Sequence, residues 1–141
     1  MFYHIDILGI ILATVAYMIV GWLWYSPFIF GKRWMKLMRM DAVSPDEMVV
    51  LKKSSNRAMI LTGINALIMA FVLERVIYNV PLVTFGMTIA LSVLLWIGLV
   101  ATSCANEYIF SYKGKPWSVY LINQGNMIVT IIIMTIILYK F

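Results

Sequence analysis

Charge is scarce in this chain. Only 12% of its 141 residues are Asp, Glu, Lys or Arg, against about a quarter in soluble domains. Hydrophobic residues make up 63%, and the mean hydropathy is +0.93. A small soluble domain leaves too much of its chain exposed to hide that much apolar surface, so lipid is the expected solvent. Histidine and cysteine occur once each, as His4 and Cys104. That excludes an intrachain disulfide and gives no metal-ligand spacing, and His4 reads as incidental. Eleven Met form no short cluster with His or Cys and read as packing residues. There is no His-Glu-x-x-His, no Gly-x-Ser-x-Gly and no phosphate loop, since Gly31-Lys32 and Gly114-Lys115 lack its other residues. Neither catalysis nor a cofactor is therefore expected. Met1–Asp6 holds no Lys or Arg, unlike the start of a cleaved signal peptide, so the first apolar run is expected to be a retained helix.

Four apolar runs predict four membrane-spanning helices, at about residues 7–25, 57–76, 82–106 and 117–139, in a single domain. The first, Ile7 to Tyr25, is 19 uncharged residues, roughly 28 Å of helix, which matches a bilayer core. Pro27 should end it. Phe28 to Met40 is short, basic and aromatic. It is expected to lie in the interface as an amphipathic helix with Phe30, Trp34, Leu37 and Met38 towards lipid. Lys32, Arg33, Lys36 and Arg39 would then meet anionic headgroups. Ser44 followed by Pro45, Asp46 and Glu47 is a helix start, and that helix can continue unbroken through Lys52, Lys53 and Arg57 into the second span.

Nine of the eleven basic residues lie between spans one and two or between spans three and four. Such a bias marks the cytoplasmic side and puts both termini outside, in the cytoplasmic membrane. It also accounts for the net charge of +5 without nucleic acid. Trp22, Trp24, Trp34 and Trp117 sit where interfacial anchors belong.

The fold class is thus an all-α integral membrane four-helix bundle. Tyr25, Gly31, Lys32 and Trp34 recur at an offset of 83 as Tyr108, Gly114, Lys115 and Trp117. Two readings fit the echo: a parallel duplication of a two-helix hairpin, or the general collection of such residues at a cytoplasmic interface.

Polar residues inside apolar spans mark function or helix–helix adhesion. Asn65, Asn106, Glu107, Asn123 and Asn126 fall at one depth, in the cytoplasmic half, with Tyr25 and Ser26 at their mouth. Thr88, Ser92, Ser103 and Asn106 fall near one stripe at helical spacing. Glu107 can instead be hydrated, or pair with Lys113 or Lys115, and Glu74-Arg75 reads as an interfacial ion pair. The expected function is passage of a small solute or ion through this cluster. A structural or partner-binding subunit is the alternative. Four short helices enclose little volume, so a homo-oligomer is expected.

The run Gly21-x-x-Trp24-Tyr25-Ser26-Pro27-x-x-Phe30-Gly31-Lys32-x-Trp34 resembles the signature of a small bacterial membrane-protein family, domain of unknown function 1761. Asn106-x-Tyr108-x-Phe110 and Leu121-Ile122-Asn123-x-Gly125 are similar to that family's second half. The resemblance implies four membrane helices and no assigned activity. It puts emphasis on Trp24, Tyr25, Ser26, Pro27, Gly31, Trp34, Asn106 and Asn123.

Overall fold

The computed structural model describes residues 5–81 and 84–141. His4 and the first two residues of the third predicted span, Leu82 and Val83, lie outside them. The described chain is all helical. It runs α1 (Ile7–Trp24), α2 (Gly31–Leu37), a single 3₁₀ turn (Met40–Ala42), α3 (Pro45–Asn79), α4 (Phe85–Leu95), a π-helical segment (Trp96–Ala101), α5 (Thr102–Ile109) and α6 (Trp117–Lys140). Four helices are long and apolar enough to cross a membrane: α1, α3, the continuous α4–π–α5 rod Phe85–Ile109, and α6.

Local chemistry sets the helix ends. The Asp6 side chain accepts the Gly9 N–H and caps α1. Ser44 and Glu47 form a reciprocal capping box at α3, with Pro45 in the first turn. Thr84 caps α4 through the Met87 N–H. α3 runs for 35 residues through Lys52, Lys53 and Arg57 without a break, about 52 Å.

Helix α6 is the hub. It packs against α1, α3 and α4, and α1 also packs on α3. Tyr25 at the end of α1 and Tyr108 near the end of α5 both reach Asn123 near the start of α6. Hence α1 and the α4–α5 rod run parallel, with α6 antiparallel to both. That junction lies at the end carrying Lys32, Arg33 and Lys36, called here the basic end. Towards the other end, Ile10, Ala13, Ala70, Leu73, Met134 and Leu138 form the apolar core. Ala13, Ala66 and Ala70 are fully buried, because small side chains let helices approach closely. The small pair Gly98 and Thr102 makes no such contact. Gly98 is exposed, and Thr102 bonds back to its carbonyl at 2.7 Å. Between α4 and α6 the seam is polar: Thr88, Ser92, Thr130 and Thr135 are buried, and the Thr135 hydroxyl lies 2.8 Å from both Ser92 Oγ and the Ile131 carbonyl.

The segment expected to be a short interfacial helix forms a helix over only part of its length. α2 stops at Leu37, and Arg39 takes a left-handed conformation, φ 55°. Phe30 and Trp34, expected on the outward face, are half-buried against the rings of Trp24 and Tyr25.

Candidate functional site

The Trp24–Trp34 segment is a closed turn with two stacked ring pairs. The Ser26 carbonyl accepts from Ile29 and Gly31, and the Trp24 carbonyl from Phe30. The chain folds so tightly that a Cβ on Gly31 would lie 2.2 Å from the Tyr25 carbonyl oxygen and 2.7 Å from that of Ser26. Glycine is required there. Trp24 packs on Phe30 with centroids 4.8 Å apart, and Tyr25 meets Trp34 edge-on at 5.7 Å.

One turn of α6 receives this stack. The Trp24 indole N–H donates to the Ile122 carbonyl at 2.9 Å, and the Tyr25 hydroxyl donates to Asn123 Oδ1 at 2.8 Å. Gly125 leaves the slot for the indole, since a Cβ there would sit 2.9 Å from the Trp24 ring. The Asn123 amide N–H then donates to the Tyr108 hydroxyl at 3.4 Å. Tyr25 and Tyr108, which occupy equivalent places in the sequence echo, thus hold the two sides of one asparagine. Their ring partners are equivalent as well: Tyr108 packs on Trp117 at 5.9 Å. Tyr120 completes an aromatic triangle with both and donates to the Ala101 carbonyl at 2.8 Å.

Next to Tyr108, Glu107 pairs with Lys115. The Lys115 ammonium also lies 5.8 Å from the centroid of the Tyr108 ring. The Glu107 carboxylate holds the Lys115 ammonium above its ordinary range. Both side chains are largely exposed, at 63% and 47%. The loop that carries Lys115 is pinned by Ser111, whose hydroxyl accepts the Lys115 N–H and whose carbonyl accepts the Gly114 N–H. Gly114 supplies the positive φ, 65°, that the loop needs.

A cavity of about 530 Å³ opens behind these groups, between α1, the basic half of α3, α5 and α6. Tyr25, Glu107, Asn123 and Asn126 line it, together with Tyr17, Cys104, Tyr108 and Gln124. Gln124 is buried and accepts from the Trp96 indole at 3.2 Å, and Asn126 is buried and accepts from Thr130 at 3.4 Å. A second cavity, of about 580 Å³, lies nearer the other end between α3, α4, the π segment and α6, and its lining is mainly aliphatic. Tyr17 and Met127 line both, and the Tyr17 hydroxyl sits 3.9 Å from the Met127 sulfur.

One family model matches residues 8–139, nearly the whole chain, and its description is "Protein of unknown function (DUF1761)". The chain belongs to this family. No curated protein and no solved structure matched it. In this DUF1761 member the two motif segments, Trp24–Trp34 and Ile122–Gly125, are the two halves of one contact.

Not all of the expected cluster assembles. Asn65 is exposed and lines the second cavity. Asn106 is exposed and lines neither, and Ser26 serves the turn rather than a cavity mouth. The π segment explains Asn106. A π turn holds an extra residue, which rotates everything downstream by about one residue, roughly 100°. Thr88 and Ser92, upstream, are buried as their stripe requires. Downstream, Cys104 and Glu107 border the cavity in place of Ser103 and Asn106. Of the four tryptophans expected as anchors, Trp22 and Trp117 are exposed at 74% and 52%, whereas Trp24 and Trp34 are half-buried. Tyr17, Tyr108 and Gln124 were not among the expected site residues. Tyr108 was marked by the echo of Tyr25, and Gln124 by its place beside Asn123.

At the other end, Glu74 and Arg75 form an ion pair, as expected, but a buried one, 6% and 8% exposed. The Asp6 N–H approaches Glu74 Oε1 at 3.4 Å, the Asn79 amide caps the Arg75 carbonyl at 2.7 Å, and Arg75 lies over the Tyr78 ring. Among the described residues no group of His, Cys, Asp and Glu could hold a metal ion.

Proposed function

We propose that this is a four-span integral membrane protein that binds a small solute or ion in the cavity of its basic half and passes it across the bilayer. The cavity carries the reading. It places Tyr25, Asn123, Gln124 and Asn126 inside helices whose composition calls for lipid outside, and polar groups are costly there unless they bond or serve. On this reading the basic end faces the cytoplasm of a bacterial inner membrane, both termini lie outside, and the two hairpins are parallel repeats meeting at Asn123. A homo-oligomer suits the burial pattern: 44% of the α6 span is buried but only 17% of α1 and of the α4–α5 rod.

The lone cysteine tests this without engineering. Cys104 lines the cavity, and methyl methanethiosulfonate reacts with thiolates, which need water. In proteoliposomes Cys104 should be labelled in the folded protein, and a bulky methanethiosulfonate there should block solute flux. A thiol that reacts only after unfolding would overturn the reading. A structural, partner-binding subunit would then stand, and one observation favours it: the Tyr25–Asn123–Tyr108 and Trp96–Gln124 bonds are already satisfied within the chain.

A further inference from the structure

The cavity lining has a definite electrostatic character. Among the described residues no Lys, Arg or His lines it, and Glu107 is its one formal charge. Lys32, Arg33 and Lys36 of α2 and Lys52, Lys53 and Arg57 of α3 are exposed and do not line it, and Arg75 is buried at the far end of α3. Four aromatic side chains, Tyr17, Trp22, Tyr25 and Tyr108, border the space, and the faces of such rings attract cations. Tyr25 O–H goes to Asn123 Oδ1 and one Asn123 N–H to Tyr108. The lining keeps neutral donors, the Gln124 amide among them, but no cationic one, so the charge it offers a ligand is a carboxylate beside ring faces.

The chain already places an ammonium on two of these groups. Lys115 Nζ pairs with Glu107 and lies over Tyr108, and it reaches them from a loop that Ser111 and Gly114 hold in place. The pair is exposed, and exposed pairs are weak enough to exchange. We propose that the cavity takes a small organic ammonium ion, and that Lys115 is its tethered competitor, occupying the Glu107–Tyr108 position until the ligand displaces it. This rests on the solute-binding reading above. The volume of about 530 Å³ suits a small organic molecule rather than a bare metal ion.

The test is protection of Cys104 in the full-length protein against methyl methanethiosulfonate, by benzyltrimethylammonium, benzyl alcohol or benzoate. Benzyltrimethylammonium should protect at about tenfold lower concentration than the other two. Lys115→Met should lower its half-protecting concentration several-fold, and Lys115→Arg should leave it near the starting value. Glu107→Gln should raise it by about fivefold to tenfold, the range of a partly desolvated cation contact. Lys113→Met removes the same charge from the same loop and should change little. Equal protection by all three probes, or better protection by benzoate, overturns the cation assignment while the cavity reading survives. An equal gain from Lys113→Met and Lys115→Met overturns the competitor role, since a general field would then suffice. No labelling of Cys104 in the folded protein defeats the cavity reading itself. Size-exclusion elution and helical circular dichroism identify any variant that fails to fold, and Lys115→Arg and Lys113→Met keep the comparison intact if Glu107→Gln is lost.

Discussion

Two cavities of nearly equal size share a wall of Tyr17 and Met127, yet they differ in kind. The basic-end cavity is bordered by side chains locked in place: Tyr25 and Tyr108 on Asn123, and Gln124 on the Trp96 indole. The other is bordered by aliphatic side chains of α3, the π segment and α6, with few directed contacts. Depth in the helices does not explain the difference. What separates them is whether α6 presents hydrogen-bonding groups or methyl groups at that level. Preorganised polar groups around the first space fit selection of a ligand. The second space offers mainly shape and apolar contact, with Asn65 and Ser92 among its few polar groups.

The contrast can be broken most severely at Gly31. Gly31→Ala forces a Cβ into two backbone carbonyls that cannot move aside. It should cost about 3 kcal/mol or more, read as a lower Tm in detergent, and should release Tyr25 while leaving the second cavity untouched. Asn123→Leu removes both tyrosine bonds and should cost about 1–4 kcal/mol, taking each interhelical bond at roughly 0.6–2. Cys104 labelling should accelerate as Tyr25 and Tyr108 swing free. Thr135→Val cuts the link to Ser92 in the polar seam beside the second cavity and should cost less than about 1 kcal/mol, with Cys104 labelling unchanged. The smallest effect belongs to Lys115. Its raised pKa means that its pairing with Glu107 favours the folded state from neutral pH up to the ordinary lysine value of 10.5, and that this contribution fades as pH rises through the raised value. Wild type and Lys115→Met should therefore keep a constant, small Tm difference from neutral pH up to about 10, and it should shrink above that.

Elements governed by short-range rules were legible in the sequence. Ser44–Glu47 is a start signal whatever surrounds it, and Pro27 ends α1 wherever α1 packs. A pairing of Glu107 with Lys113 or Lys115 was one alternative the sequence left open, and the turn brings Lys115 to it. Features that depend on a partner helix were not legible. Trp24 and Trp34 carry the composition of lipid anchors, and only the glycine slot on α6, a hundred residues away, makes Trp24 an inward residue. The position of Asn106 failed for a different reason: uniform helical spacing was assumed across Trp96–Ala101, and no residue type there announces an extra residue in the turn. Asn65 was placed by depth alone, and depth does not say which side of α3 faces inward.

Helix α3 has a mechanical consequence. At about 52 Å it exceeds a hydrocarbon core of roughly 30 Å by some four turns. Set across a bilayer, the excess stands in water at the basic end, capped by Ser44 and studded with Lys52 and Lys53. No proline or π turn interrupts the rod between there and Glu74. Ser55, Ala58 and Thr62 on it form part of the first cavity's wall, and Glu74 meets the start of α1 at the far side. A push on the protruding handle would therefore reach both the first cavity and the opposite face as one stroke, with the shaft of α3 as the pushrod.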